Sequence, residues 1–183
     1  MNESLVVPEL VAGSSLVLRP WTLDDLDLVR EATADELIPL ITTVPSAYSD
    51  AEGIAFIERQ WARASTRQGY SFAIARTADG RAVGQIGLWP HGQGRASLGY
   101  WVAKSSRGQG IALEALRAVS LWGLSVLEIP RLELYVEPWN VASWKTAERV
   151  GFKREGLLRS WQEVGAERRD MYMYSMLISE LPA

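Results

Sequence analysis

The stretch Ser106–Leu116, SRGQGIALEAL, has two glycines one residue apart immediately before a segment with the composition of a helix. Because glycine has no side chain, a ligand can approach the main chain closely at Gly108 and Gly110. The first amides of a helix have no partner within it, and with the positive end of the helix dipole they favour a phosphate or pyrophosphate. Arg107 adds a charged donor beside them. The stretch therefore predicts an anion-binding loop, with a plain glycine turn as the alternative.

Two other phosphate-binding loops fit the stretch poorly. A P-loop needs a Lys-Ser/Thr pair after its last glycine, and Ile111-Ala112 occupy those positions. A dinucleotide-binding fingerprint needs a third glycine where Leu113 stands, although Glu128 lies near the position of its ribose-binding acid. The strands predicted before the stretch are antiparallel, whereas the dinucleotide fold begins with a parallel unit. An unrelated nucleotide-binding protein is therefore the weakest alternative.

Composition and charge narrow the class of protein. The chain has 183 residues, of which 48% are hydrophobic, so we expect one core and a single domain over residues 1–183. The net charge is −3 with both signs interspersed, so nucleic acid is not an expected partner. No segment is typical of a membrane span or an export signal, which predicts a cytoplasmic protein. Cysteine is absent and His91 is the only histidine, so we expect no metal site and no histidine-based triad.

The hydrophobic pattern of the first half predicts a strand, two helices and three further strands. Alternation over residues 15–20 predicts the first strand, and Thr22 begins a helix. A capping box at Ser49–Glu52 begins the second helix. Turns at Asp79-Gly80 and at residues 91–94 separate three consecutive antiparallel strands.

The period of the pattern changes in the second half. Gly110 begins a helix of about four turns. A half-buried strand follows over residues 132–136, and then a helix that is capped by Asn140 and closed by Gly151. Two apolar-rich segments flank Gly165-Ala166 and predict a closing hairpin. The order β-α-α-β-β-β-α-β-α-β-β predicts a mixed α/β (α+β) fold with one largely antiparallel, twisted sheet of six to seven strands and about four helices.

Several short motifs resemble one known family. They are GYWV at 99–102, RGQGIA at 107–112, EPWNVAS at 137–143, ERVGF at 148–152 and EG at 155–156. Together they resemble the GNAT superfamily of acetyl-CoA-dependent N-acetyltransferases over nearly the whole chain, and within it the RimJ/RimL-like branch of ribosomal-protein N-terminal acetyltransferases. The resemblance implies the GNAT fold and transfer of acetyl from acetyl-CoA to a primary amine. A non-catalytic CoA-binding sensor or interaction domain of the same fold is the alternative.

The resemblance also implies which residues hold the cofactor. Its pantetheine arm would enter a gap between the strands that end at Val102 and Glu137, and its pyrophosphate would lie on the amides of residues 107–112. Asn140, a good helix cap in its own right, would also contact the pantetheine. The implied cofactor-binding residues are Trp101, Val102, Ala103, Arg107, Gly108, Gln109, Gly110, Ile111, Ala112, Asn140 and Ser143.

The implied chemistry is direct attack of the amine on the thioester. By resemblance, Ser143 lies near the sulfur, where its hydroxyl can hydrogen-bond to the departing thiolate or protonate it. Attack requires a neutral amine, so a general base or a water relay is expected. Ser97 stands where many relatives carry Glu, which leaves Glu137 and Glu163 as candidate bases. A backbone N–H near Val102 would stabilise the developing oxyanion.

Two tryptophans are candidates for binding the acceptor. Trp89 and Trp161 are placed near strand ends close to the expected entrance, where an aromatic wall could stack on a planar acceptor. The acceptor itself stays open between a protein N-terminus and a small-molecule amine, because loops at such sites vary most. The resemblance also favours a homodimer.

Overall fold

One mixed sheet organises residues 5–181, the part of the chain that this computed structural model describes. Its strands are β1 Leu10–Ala12, β2 Leu16–Arg19, β3 Tyr70–Arg76, β4 Ala82–His91, β5 Arg95–Val102, β6 Arg131–Val136, β7 Lys153–Val164 and β8 Glu167–Leu177. They lie in the order β1-β2-β3-β4-β5-β6-β8-β7. The helices are α1 Leu26–Thr33, α2 Ile38–Ile41, α3 Asp50–Ser65, α4 Ile111–Ser125 and α5 Val141–Val150. Among the described residues, no helix is both long and apolar enough to cross a membrane.

The predicted fold class is confirmed, and the predicted order of elements holds with two additions. The structure has eight strands and five α-helices within residues 5–181, where the sequence predicted six to seven and about four. The additions are β1, of three residues, and α2, of four. A strand or a helix is identified from hydrophobic residues that recur at regular spacing, and β1 and α2 are too short for that spacing to repeat.

Local capping explains where the later helices begin and end. The Ser49 hydroxyl accepts a hydrogen bond from the Glu52 amide at 3.2 Å in front of α3. The Asn140 side chain accepts from the Ser143 amide at 3.1 Å in front of α5. Gly151 ends α5 with a φ of 114°, in the left-handed region that favours glycine. These three positions agree with the capping residues predicted from the sequence.

Alternation along the strands produces a separate hydrophobic core on each face of the sheet. On one face, α4 and α5 pack against buried side chains such as Phe72, Ile86 and Leu132. On the other face, α1 and α3 pack in a second cluster that includes Trp21 and Trp101. Both faces are therefore covered, and a ligand reaches the middle of the sheet only where two strands part.

β5 and β6 pair only where they begin. They form the parallel pair of the sheet, with Arg95 opposite Arg131 and Ser97 opposite Glu133. Beyond Ser97 the strands separate, so main-chain groups of residues 98–102 and 134–136 that face the opening have no strand partner across it. The opening lies where the family resemblance implied a gap between the strands that end at Val102 and Glu137; in the structure the second of these strands ends at Val136.

A charged network holds the closed end of this gap. The Arg131 guanidinium donates to Glu133 at 2.7 Å and to both carboxylate oxygens of Glu155 at 2.9 and 2.6 Å. Glu155 also accepts from the Ser175 hydroxyl at 2.6 Å. Arg95 lies 3.6 Å from Glu133, whose side chain is only 1% exposed. The network therefore links β5, β6, β7 and β8 at the point from which β5 and β6 diverge.

This network predicts a specific acid dependence of stability. Hydrogen bonds from Arg131 and Ser175 lower the pKa of Glu155 from 4.5 to about 2. The ionised carboxylate therefore stabilises the fold above pH 4.5, and this contribution is lost as the pH falls towards 2. We expect Glu155→Gln to lower the melting temperature near neutral pH, and the difference from the wild type to shrink as the pH falls through that range.

Thermal denaturation as a function of pH measures this effect. Glu36→Gln is the matched control, because the Glu36 side chain is exposed and forms no hydrogen bond or ion pair within residues 5–181. A difference between Glu155→Gln and the wild type that is constant from neutral to acid pH would contradict the assignment.

Candidate active site

The loop in front of α4 exposes bare main chain. Gly108 and Gly110 have φ angles of 77° and 76°, a region in which a side chain would be strained. Apart from the glycine itself, its two chain neighbours and the nearby helix backbone, no heavy atom of the described residues lies within 4 Å of the position that a Cβ would take at Gly108 or Gly110. Gly110 caps α4 without a side-chain hydrogen bond, so the first amides of this helix are free to bind an anion.

The Arg107 side chain is held by the protein itself. Its Nε donates to the Val102 carbonyl at 3.0 Å, and Nη2 donates to the Asp35 carboxylate at 2.7 Å. Asp35 also accepts from the amides of Leu37 and Ile38, at 3.0 and 3.1 Å, where α2 begins. Arg107 therefore links the glycine loop to the segment that contains α2, in addition to standing at the rim as expected.

A cavity of about 500 Å³ runs from the glycine loop to the unpaired end of β5 and the start of α5. Its lining includes these residues from the sequence prediction: Trp101, Val102, Arg107, Gly108, Gly110, Ile111, Ala112, Asn140 and Ser143. Lys145 and Arg149 of α5 also line it. Sequence reasoning missed this pair of cations, although their spacing of four residues places them on one face of the helix.

Two predicted cofactor residues lie outside this lining. Ala103 is buried, and its amide donates to the Val83 carbonyl at 2.9 Å. The Gln109 side chain points towards β3, where it accepts from Arg76 at 2.8 Å. The Ala103 amide is thus engaged with β4, whereas only the side chain of Gln109 is engaged and its main-chain amide stays among those of residues 107–112; for both residues the expected cofactor contact stays a prediction.

Ser143 has a partner that the sequence did not reveal. The Tyr100 hydroxyl of β5 lies 2.9 Å from Ser143 Oγ and 3.3 Å from the Ser143 carbonyl oxygen. Burial raises the pKa of Tyr100, so its hydroxyl keeps its proton at neutral pH and can donate it. Alternation with Leu98 and Val102 places Tyr100 on the α4–α5 face, and this pattern was the available signal.

A second cavity, of about 590 Å³, meets the first beside Ser143. The residues that line both cavities are Leu37, Ile41, Tyr100, Trp101, Asn140 and Ser143. Trp101 is fixed at this junction because its Nε1 donates to the buried Gln85 side chain at 2.7 Å. Molecules bound in the two cavities would therefore meet at a shared wall of defined shape.

The two candidate bases are placed differently. Glu137 lines the second cavity, and its side chain is only 10% exposed, with the Arg169 Nε 3.9 Å from one carboxylate oxygen. Glu163 is exposed on β7, opposite Arg168 of β8, and is not among the residues lining either cavity. The geometry therefore favours Glu137 over Glu163.

The predicted aromatic wall also changes. Trp89 lines the second cavity, but the Arg63 guanidinium lies 4.6 Å from the centre of its ring, where a planar acceptor would stack. Trp161 is 50% exposed and lies outside the lining, stacked on Tyr135 with ring centres 5.8 Å apart. Tyr135 itself lines the cavity. Besides Trp89, which supports a cation, the aromatic side chains that line this cavity are Tyr100, Trp101 and Tyr135, so the acceptor-binding role of Trp89 and Trp161 stays a prediction.

Comparisons with known proteins identify the family of the chain. A family model described as an acetyltransferase (GNAT) domain matches residues 15–153. Uncharacterized N-acetyltransferase p20 of Bacillus licheniformis is 27% identical over 174 residues, which are 94% of this chain and 98% of that protein. The structure of Mycobacterium smegmatis RimJ in complex with CoA-disulfide is similar with a TM-score of 0.83 and 30% identity, over 97% of this chain and 89% of that one. RimL in complex with coenzyme A has the same fold, with a TM-score of 0.78 and 19% identity over 93% of this chain and 98% of that one.

Two substitutions at Asn140 separate its helix-capping role from a role in ligand binding. Asn140→Ala removes the acceptor for the Ser143 amide, so we expect the free energy of unfolding to fall by about 1 kcal/mol. Asn140→Asp keeps an oxygen acceptor and should retain this stability, but it lacks the amide group that could donate to a ligand. Urea denaturation and calorimetric titration with CoA measure the two effects. If Asn140→Asp binds CoA as tightly as the wild type, Asn140 is a helix cap only.

Proposed function

The chain belongs to the GNAT family of N-acetyltransferases, and from this premise we propose that it transfers acetyl from acetyl-CoA to a primary amine by direct attack in a ternary complex. The observation that carries the proposal is the junction of two cavities beside Tyr100, Asn140 and Ser143. A thioester in the first cavity and an amine in the second would be held together at this junction. Holding two reactants in this way removes much of the entropic cost of their encounter.

The first cavity suits the carrier along its whole length. Main-chain amides of residues 107–112 would bind the pyrophosphate at the start of α4. The unpaired edges of β5 and β6 would pair with the amide groups of the pantetheine arm. Lys145 and Arg149 add positive charge for the phosphates on the α5 side. The CoA complexes of RimJ and RimL support the choice of carrier.

Tyr100 and Ser143 would assist departure of the thiolate. Attack of the amine gives a tetrahedral intermediate, whose collapse forms the amide bond and breaks the carbon–sulfur bond. The sulfur then needs a proton or a hydrogen-bond donor. The Ser143 hydroxyl would supply it, and the Tyr100 hydroxyl, 2.9 Å away, would replace that proton or orient the serine. A main-chain amide near Val102 would stabilise the oxyanion.

Glu137 is the carboxylate that we propose to accept the proton of the amine. It lies within the lining of the second cavity, where burial strengthens its interaction with a cationic ammonium group. The proton would pass to it directly or through a water molecule. RimL is named a ribosomal L7/L12 alpha-N-protein acetyltransferase, which favours a protein N-terminus as the acceptor, with a small amine as the alternative.

Binding and thiol release test the proposal as a whole. We expect calorimetry to detect acetyl-CoA binding, and we expect free thiol to appear when peptides with a free N-terminus or small amines are added. Binding of acetyl-CoA without thiol release for any amine would support the non-catalytic module instead. No binding at millimolar acetyl-CoA would overturn the proposal.

Removing either hydroxyl at the junction should slow the chemical step. We expect Ser143→Ala and Tyr100→Phe each to lower kcat about 100-fold, as loss of a positioned proton donor does, with little change in the Kd of acetyl-CoA. Steady-state kinetics and calorimetry measure the two quantities. Ser125→Ala is the matched control, because its exposed hydroxyl donates to the Leu121 carbonyl at the far end of α4. An unchanged kcat in both junction variants would remove the hydroxyls from the mechanism.

Isosteric substitution compares the two candidate bases. We expect Glu137→Gln to lower kcat/KM by a larger factor than Glu163→Gln, because only Glu137 lines the acceptor cavity. Initial rates over a range of pH measure the difference. The reverse order would transfer the role to Glu163, and equal, small effects would favour a water relay without a dominant base.

A further inference from the structure

The second cavity contains a cation without an acidic partner. Arg63 of α3 lines it. Its Nε donates to the Gln60 side chain at 3.2 Å, and one terminal nitrogen donates to the Thr43 hydroxyl at a long 3.4 Å. No ion pair of Arg63 with a carboxylate is formed within residues 5–181. Burial, and then the nearby charge of Arg59, lower the pKa of Arg63, as expected for a desolvated cation that lacks a counter-ion.

The sheet holds this guanidinium in place through Trp89. The guanidinium carbon lies 4.6 Å from the centre of the Trp89 ring, within the range of a cation–π contact. The ring in turn lies over Gly87, where a Cβ would collide with it, and its Nε1 lies 3.8 Å from the position of a Cβ at Gly99. The two glycines oppose each other in the β4–β5 pairing, so the strand surface is flat where the ring rests.

Thr42 and Ser97, which line the cavity with Arg63, carry no negative charge, and their hydroxyls already have partners: Thr42 donates to the Ile38 carbonyl at 2.6 Å, and Ser97 lies 2.9 Å from His91 Nε2. Thr42 and Thr43 line the same cavity, as does Ser97, which pairs with Trp89 across β4 and β5. Of the residues that line this cavity in the described part of the chain, only Glu137 is acidic. Glu137 lies beyond the end of β6, on the side of Ser143, so the cavity has a cation and a carboxylate that belong to different elements.

We infer that Arg63 forms an anion-binding subsite and that the acceptor carries a carboxylate in addition to its amine. This inference rests on the proposed function, because the junction at Ser143 defines where the amine must be. A single guanidinium matches a carboxylate in charge and in its two-pronged geometry, whereas a phosphate dianion would keep one negative charge uncompensated, because no other Lys or Arg of the described residues lines this cavity.

The strand geometry limits the distance between the two groups of the acceptor. The Trp89 ring extends to Gly99, which is two residues along β5 from Trp101 at the junction. Two residues of a strand span about 7 Å, so the carboxylate is expected roughly 7 to 10 Å from the reacting amine. A free α-amino acid is too short. A peptide with an acidic side chain close to its N-terminus, or an ω-amino acid with a chain of several carbons, has a suitable length.

Affinity for matched pairs of amines tests the subsite without relying on turnover. One pair is two hexapeptides that differ only in Glu or Gln at the second position, and the other is 6-aminohexanoate and 6-aminohexanamide. Each is titrated into the full chain saturated with CoA. We expect the anionic member of at least one pair to bind about 10- to 100-fold more tightly, as a charge-assisted hydrogen bond implies. The pair that shows the preference identifies a peptide or a small molecule as the source of the carboxylate.

Variants of Arg63 test whether this residue causes the preference for the anionic amine. Arg63→Gln should abolish it, and Arg63→Lys should retain part of it, because lysine keeps the charge without the planar fork. Arg59→Gln is the matched control. It also removes one positive charge from α3, but Arg59 lies one turn before Arg63 and does not line the cavity. Melting temperature and CoA affinity, which should match the wild type, confirm that the variants are folded.

The outcomes separate this inference from the proposed function. Equal affinities within both pairs, or a preference that persists in Arg63→Gln, overturn the subsite. Thiol release from acetyl-CoA is measured with the same four amines. Preferential binding without release supports the subsite and contradicts the transferase, whereas release without any preference supports the transferase and contradicts the subsite.

Discussion

The early end of the pairing between β5 and β6 is the constraint on which the rest of the site depends. If these two parallel strands stayed paired along their whole length, their main-chain groups would hydrogen-bond to each other, and no opening through the sheet would exist. Here the Arg131–Glu133–Glu155 network holds the strands together at one end, and beyond Ser97 their edges are free. The starts of α4 and α5 both lie at the open side, so unpaired amides and helix dipoles converge there.

Features that depend on a few neighbouring residues were predictable from the sequence. The glycine loop at 107–112, the cap at Asn140 and the stop at Gly151 each follow from a local conformational rule, and the structure has all three. The strands and the longer helices were predictable for the same reason, because hydrophobic residues recur with a period of about 2 in a strand and about 3.6 in a helix. The short α2 could not be predicted in this way, because its position depends on Asp35, whose carboxylate is shared between helix amides and a distant arginine.

Local sequence rules could not predict which distant residues come into contact. They also could not predict which face of an irregular strand each side chain occupies. Tyr100 and Ser143 are 43 residues apart, and only the packing of α5 against β5 brings their hydroxyls together. The β7–β8 pairing shifts register between Leu158 and Gln162, and Ser160 within this bulge has a φ of 51°. β7 advances four residues from Leu158 to Gln162 while β8 advances two, and the positive φ of Ser160 interrupts the regular alternation there, so alternation alone could not place Trp161.

The site has one side formed by main-chain groups, at the glycine loop, and one side formed by side chains, and the two sides differ in how many substitutions they tolerate. The carrier side relies on peptide groups, which every residue possesses, and the conformation there requires glycine at 108 and 110. The opposite side is shaped by the side chains of α2, α3, β4 and β7, where a point mutation alters charge or volume without disturbing the peptide groups. A scaffold divided in this way can acquire new substrates by ordinary substitution while its source of acyl groups stays constant.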